Sequence, residues 1–231
     1  MGEQAAANVR ALRALAARDV VPGIVEVMKA GCMELQGKIV QLGSSESAQT
    51  DGRLWEPAVV LASHLSSMPC NWKDVAVTEL GCGLGLVGMV LASLGAEVTL
   101  TDLPQAQPAV SAGLQLNSTV LQGRARFAAF DWAEPQQFPT ARLVVSADPI
   151  FDDATLDLFT KAAAHILERT EAKELILCHK HRPNVCTLDG VCAVKTALVD
   201  LGLVVGDMRV LGGIAHPYIP VMSVTASGRF S

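Results

Sequence analysis

The sequence predicts an α/β fold: a doubly wound sheet, mostly parallel, that ends in an antiparallel pair. Three observations predict it. Between residues 55 and 200, short apolar runs of strand length alternate with longer stretches of helical period. A glycine-rich turn, Gly81-Cys82-Gly83-Leu84-Gly85, lies between one such run and the helical stretch that follows. Residues 203–231 hold two further apolar runs with no room for a helix between them, as antiparallel neighbours require.

Residues 1–54 read as an N-terminal arm and residues 55–231 as the main domain. The arm opens on an Ala/Arg-rich amphipathic stretch over residues 1–20, where Glu3 and Asp19 argue against a transit peptide. A hairpin is expected around Gln36-Gly37, and a polar loop over residues 43–52. Trp55-Glu56-Pro57 opens a helix, with the proline in its first turn. Strands are expected at 75–80, 97–101, 125–129, 143–147 and 174–178. Helices are expected at 86–94, 104–117, 152–168 and 189–201, and the closing strands at 203–210 and 221–225.

With 231 residues, 50% of them hydrophobic and 18% charged, the chain can bury a core and is not a disordered segment. The formal net charge is -5, aromatics make up 4%, and no basic stripe appears, so no nucleic-acid partner is expected. No apolar run has membrane length, so no membrane partner is expected either. The six cysteines form no CxxC pair, which points to reduced thiols, no zinc ribbon and a cytoplasmic location. No dimer seam is visible, so a monomer is expected.

The glycine turn gives the backbone the freedom to approach a ligand at the carboxyl edge of the sheet. Asp102 stands 21 residues after Gly81, at the end of the next strand. A carboxylate there accepts both hydroxyls of a ribose, and aspartate is also a favoured helix N-cap. Gly83-Leu84-Gly85-Leu86-Val87-Gly88 satisfies the dinucleotide pattern too, so a nicotinamide-dependent oxidoreductase stands as an alternative. Against it, Glu79 stands at the mouth of the loop, where a pyrophosphate would meet an unpaired carboxylate. The helix between Gly83 and Asp102 is short, and Asp131 and Asp148 close the strands that follow. A site rimmed by carboxylates repels phosphate and suits a ligand with an ammonium and a sulfonium, as S-adenosylmethionine has.

Residues 79–88 resemble motif I of class I S-adenosylmethionine-dependent methyltransferases. Leu54-Trp55-Glu56-Pro57, Leu100-Thr101-Asp102-Leu103, Phe130-Asp131-Trp132 and Ala147-Asp148-Pro149-Ile150-Phe151 follow in the order seen in the non-histone protein-lysine methyltransferases. The last of these resembles that family's Asp-x-x-Tyr/Phe signature. The resemblance implies a Rossmann-like seven-strand sheet with a reversed final strand. It also implies S-adenosylmethionine as cofactor, S-adenosylhomocysteine as product, and a protein substrate such as a chaperone, an ATPase or a translation factor. Trp55, Glu79, Gly81, Cys82, Gly83, Asp102, Trp132 and Ala147 would contact the cofactor, with Trp132 near the adenine and Asp131 on its amino group. Asp148 and Phe151 would shape the opening for the target lysine. Asp148 would orient the nitrogen, and Phe151 would offer a ring face worth about 0.5–2 kcal/mol to a cation.

The residues also admit plainer readings: Asp148 as a helix cap, Phe151 and Trp132 as core. Phe151 replaces the commoner tyrosine, Pro149 stiffens the signature, and the arm matches the family poorly, which leaves the substrate open. The alternatives are methyl transfer to a protein histidine or a small amine, and a non-catalytic module that keeps the pocket. Cys178-His179-Lys180-His181-Arg182 reads as a polar loop at the same edge, with Lys180 or Arg182 available to an acidic partner. Only Cys186 lies near it as a further ligand, so no metal is expected. His216-Pro217-Tyr218 either lines the acceptor mouth or forms a turn.

Overall fold

The computed structural model describes residues 27–28, 31–35, 37–42, 53–181, 190–208 and 219–228. The expected helix over 1–20, the loop over 43–52, Arg182, Cys186 and residues 209–218 lie outside them. A hairpin of β1 (Cys32–Leu35) and β2 (Lys38–Gln41) precedes the sheet. The sheet holds β3 (Ala76–Leu80), β4 (Glu97–Asp102), β5 (Ala125–Ala129), β6 (Leu143–Ala147), β7 (Glu174–Cys178), β8 (Leu203–Met208) and β9 (Val221–Ala226). Their spatial order is β5-β4-β3-β6-β7-β9-β8. The first five of these pair in parallel, and β9 runs antiparallel to both β7 and β8. The chain steps outward from β3 through β4 to β5, then crosses back to β6 on the other side of β3. That reversal opens a crevice at the carboxyl ends of β3 and β6.

The central strands are nearly continuous apolar runs because helices cover both faces. Successive side chains point to opposite faces, so neighbours in sequence enter different cores. Val77, Val145 and Ile176 pack with α1 (Glu56–Ser67), α2 (Leu86–Ser93) and the hairpin. Leu80, Val144, Leu175 and Leu177 belong to a second core on the opposite face. The expected helix over 104–117 is two pieces, a 3-10 turn at Pro104–Ala106 and then α3 (Gln107–Leu116). Pro104 and Pro108 each lack an N–H, so each is tolerated only in a first turn. A further short helix, α4 (Ser118–Leu121), shows no period in the sequence and closes on Gln122 in the left-handed region. α5 (Asp153–Arg169) and α6 (Gly190–Asp200) cover the second core. Asp152 caps α5: Thr155 donates its N–H to Asp152 Oδ1 at 2.7 Å, and the Thr155 hydroxyl accepts from the Asp152 N–H at 3.1 Å.

The hairpin is pinned by one buried side chain. Asn117 accepts the Gln41 N–H at 2.8 Å and donates to the Gln41 carbonyl at 2.6 Å, as a neighbouring strand would. Lys38 Nζ donates to the Ser93 carbonyl at the far end of α2. At the other end of the sheet, hydroxyls hold β3 where it parts from its neighbours. Thr101 Oγ1 donates to the Glu79 carbonyl at 2.6 Å, and Ser146 Oγ donates to the Leu80 carbonyl at 2.7 Å. The β3–β6 ladder stops at Glu79 and Val145, so the serine supplies the partner that the ladder no longer provides.

Gly88 sits where α2 presses on the sheet. A Cβ there would stand 2.3 Å from Leu100 Cδ2 and 2.9 Å from both Val98 Cγ1 and Glu79 Oε2. Gly88→Ala is therefore expected to destabilise the protein by about 1–3 kcal/mol in urea unfolding. An unchanged midpoint would show that α2 moves aside freely, against this account of its packing.

Candidate active site

A cavity of about 720 Å³ opens at the carboxyl ends of β3, β4 and β6. All eleven residues singled out in the sequence line it. Trp55 comes from the start of α1; Glu79, Gly81, Cys82 and Gly83 come from β3 and its turn; Asp102 ends β4. Asp131 and Trp132 come from the turn after β5. Ala147, Asp148 and Phe151 come from the end of β6 and the turn after it.

The turn needs its glycines because Gly81, Gly83 and Gly85 have φ of 65°, 54° and 78°. No atom lies within 4 Å of where a Gly83 Cβ would stand, whereas a Gly81 Cβ would meet Trp132 Cζ2 at 3.0 Å. Trp132 thus covers Gly81, and it also packs edge-on against Phe159 at 5.2 Å. Trp132 is thus a cavity wall and also part of the packing. Asp102 is not a helix cap. Its Oδ2 accepts the Gly83 N–H and its Oδ1 the Leu103 N–H, both at 2.8 Å, while the following turns begin at Leu103 and Ala106. An ionised carboxylate has about four acceptor sites, so capacity for hydroxyl donors remains.

Glu79 does not stand at the mouth of the loop. It is 2% exposed, behind the turn, and its Oε2 accepts the Gly88 N–H of α2 at 2.8 Å. Burial pushes its carboxyl up to about 8; the Gly88 bond opposes that rise and the charge of Asp102 adds to it. Burial also pushes the Cys82 thiol up, with Glu79 and Asp102 adding to the effect. Among the described residues, Arg53 is the one cationic residue lining the cavity, and its guanidinium lies 5.7 Å from the centroid of the Trp55 ring.

After β6, Asp148 takes a left-handed backbone with φ 59°, a region that is strained for a residue other than glycine. Its N–H donates to the Cys178 carbonyl at 2.7 Å, which joins the ends of β6 and β7. Its Oδ1 accepts the Lys180 N–H at 3.1 Å and lies 3.0 Å from His179 Nδ1, off the line of a hydrogen bond. The cap reading of Asp148 falls to Asp152, and Phe151, 67% exposed, is rim and not core. Lys180 Nζ sits 2.9 Å from Glu56 Oε1 in the first turn of α1.

The sequence reading missed Arg53, Ala58, Gln105, Thr155 and Leu158 in the lining. Phe151, Thr155 and Leu158 are spaced i, i+4, i+7, a stripe that the helical period could have revealed. Among the described residues, no three His, Cys, Asp or Glu are grouped to hold a metal, and the five described cysteines are free. No helix among them is long and apolar enough to cross a membrane.

Comparison with known proteins agrees with this architecture. The sheet and its helices superpose on the precorrin-6y C5,15-methyltransferase of Geobacter metallireducens with a TM-score of 0.52, at 15% identity over 80% of this chain and 94% of that one. An O-methyltransferase family protein of Burkholderia thailandensis gives 0.55, at 15% identity over 74% and 55%. These likenesses show the fold: a Rossmann-like methyltransferase sheet. In sequence, the chain is 34% identical to mouse EEF1A lysine methyltransferase 3 over 116 residues, 49% of this chain and 50% of that protein. It is 31% identical to the protein N-lysine methyltransferase METTL21A of Xenopus tropicalis over 115 residues, 49% and 54% of the two. The chain thus spans about half the length of the curated relatives it matches. The family profile described as lysine methyltransferase matches residues 34–187, two thirds of the sequence, and on that match the chain belongs to the lysine methyltransferase family.

Proposed function

We propose that this chain is an S-adenosylmethionine-dependent methyltransferase acting on a lysine side chain of a protein. The observation that carries the proposal is the set of acids around the glycine turn. Asp102, Asp131 and Asp148 line the cavity together with a turn whose backbone lies open at Gly83. A pyrophosphate at that turn would meet carboxylates, whereas an ammonium and a sulfonium are attracted by them. The fit is also steric: Trp132 offers an aromatic wall over Gly81, and Asp102 retains acceptor capacity for a ribose. When bound, the cofactor supplies a methyl group made electrophilic by its sulfonium.

The chain's own residues do the rest. Trp55, Gly81, Cys82, Gly83, Asp102, Asp131, Trp132 and Ala147 hold the cofactor. Phe151, exposed at the rim, offers its ring to the aliphatic stem and cation of the incoming lysine. The amine attacks only when neutral, and its ordinary pKa is about 10.4. Desolvation against Phe151, Leu158 and Trp55 lowers that value. Asp148 acts by shape: its bond to Lys180 and its strained backbone fix the turn that carries Phe151. In-line positioning of the nitrogen then supplies much of the rate.

We also place the domain boundary at residues 54/55 and the enzyme in the cytoplasm as a monomer. The free cysteines support that compartment. Labelled S-adenosylmethionine incubated with the purified chain and a cell lysate should label a discrete protein band. Label confined to small molecules would overturn the protein substrate, and a methyl mapped to histidine would overturn the lysine.

A further inference from the structure

Two aromatic residues stand on different elements at the cavity mouth, Trp55 ahead of α1 and Phe151 ahead of α5. Neither is fixed by burial, since they are 42% and 67% exposed. The polar contacts behind them meet at one residue. Lys180 follows β7 closely, and its Nζ reaches Glu56, next to Trp55, at 2.9 Å. Its backbone N–H donates to Asp148 Oδ1 at 3.1 Å, three residues before Phe151. The ammonium and the carboxylate are both mostly buried, 30% and 22% exposed, so solvent screens the pair less than it would on an open surface. Glu56 also occupies the first turn of α1, where the helix dipole already favours a carboxylate. An ammonium there is not needed to hold the helix.

We propose that Lys180 is a positioning residue: through Glu56 and Asp148 it ties the two walls of the mouth together and sets the placement of Trp55 over the bound cofactor. The proposal rests on the reading above that the cavity takes S-adenosylmethionine. It gives Lys180 no contact with substrate and no part in proton transfer.

The test is calorimetry of the full chain with S-adenosylhomocysteine, for the wild type, Lys180→Met, Glu56→Gln and the double variant Glu56→Gln with Lys180→Met. Methionine keeps the apolar stem and removes only the charge. Each single variant is expected to bind about five-fold more weakly, with an unchanged melting temperature in the ligand-free protein. The double variant is expected to bind no more weakly than either single variant. Single variants that bind like the wild type would overturn the tie. So would a double variant whose loss is the product of the two single losses, because each residue would then act alone. So would affinity that falls only in step with melting temperature, the mark of a structural contact. A wild type that does not bind would overturn the parent reading and is thereby told apart from these results.

Discussion

Asp102→Ala is expected to weaken S-adenosylhomocysteine binding by about a hundred-fold in calorimetry, with the fold intact. The size follows from what the carboxylate would lose. Hydrogen bonds to a charged group contribute about 1.5–3 kcal/mol each, and about 1.4 kcal/mol is a factor of ten. A ribose presents two hydroxyls, so losing both reaches or exceeds the stated factor. A second loss is local. Asp102 Oδ2 holds the Gly83 N–H at 2.8 Å, so alanine also frees the turn that the ligand approaches. Asp102→Asn removes the charge and keeps one acceptor oxygen, which can serve the Gly83 or the Leu103 N–H but not both. It should fall between the wild type and the alanine variant. Equal binding by all three proteins would remove the ribose from Asp102. No binding by any of them, with intact folding, would remove the methyltransferase reading altogether.

The parts of the molecule written in local sequence were legible, and the parts that depend on distant pairs were not. Each strand of the parallel sheet is a run of apolar residues between turn signals, and β5, β6 and β7 fall at the expected residues. The antiparallel β8–β9 pair was readable because its connection leaves no room for a helix. The glycine turn and Asp102 are likewise local signals with a mechanism. Glu79 misled because its position in the motif does not say which way the side chain turns; only the contact with α2 shows that it is buried. Lys180 and Glu56 are 124 residues apart, and no period or spacing connects them. The same holds for the bond from Asp148 to Lys180 across 32 residues. α4 has four residues, too few for any helical period to appear.

Glu79→Gln is expected to change how stability depends on pH, and the sign is fixed by the carboxyl's environment. Its pKa rises from the ordinary 4.5 to about 8 in the folded protein. Between those two values the folded chain keeps the proton while the unfolded chain has released it. Stability from this group is therefore full below about 4.5 and is lost as pH rises through about 8. The loss is on the order of a few kcal/mol across that span, since each ten-fold difference in proton affinity between the folded and unfolded chain is worth about 1.4 kcal/mol. Glutamine has no such proton, yet its side-chain oxygen still accepts the Gly88 N–H, so the packing of α2 is kept. The melting temperature of the wild type should fall relative to the variant between pH 5 and 8. His64 works in the opposite direction, because burial lowers its pKa and stability is lost as pH falls below the ordinary histidine value of 6.5. It is present in both proteins and cancels in the difference. Asp102, the group whose charge acts on Glu79, is also common to both. Parallel pH curves for the two proteins would show that Glu79 is ionised in the folded state. The cavity would then carry a fixed negative charge beneath its glycine turn. If the curves diverge as expected, a cation entering that cavity lowers the Glu79 pKa and favours release of its proton. Calorimetry in buffers of different ionisation heat should then register proton release when S-adenosylmethionine binds to the wild type and none when it binds to Glu79→Gln.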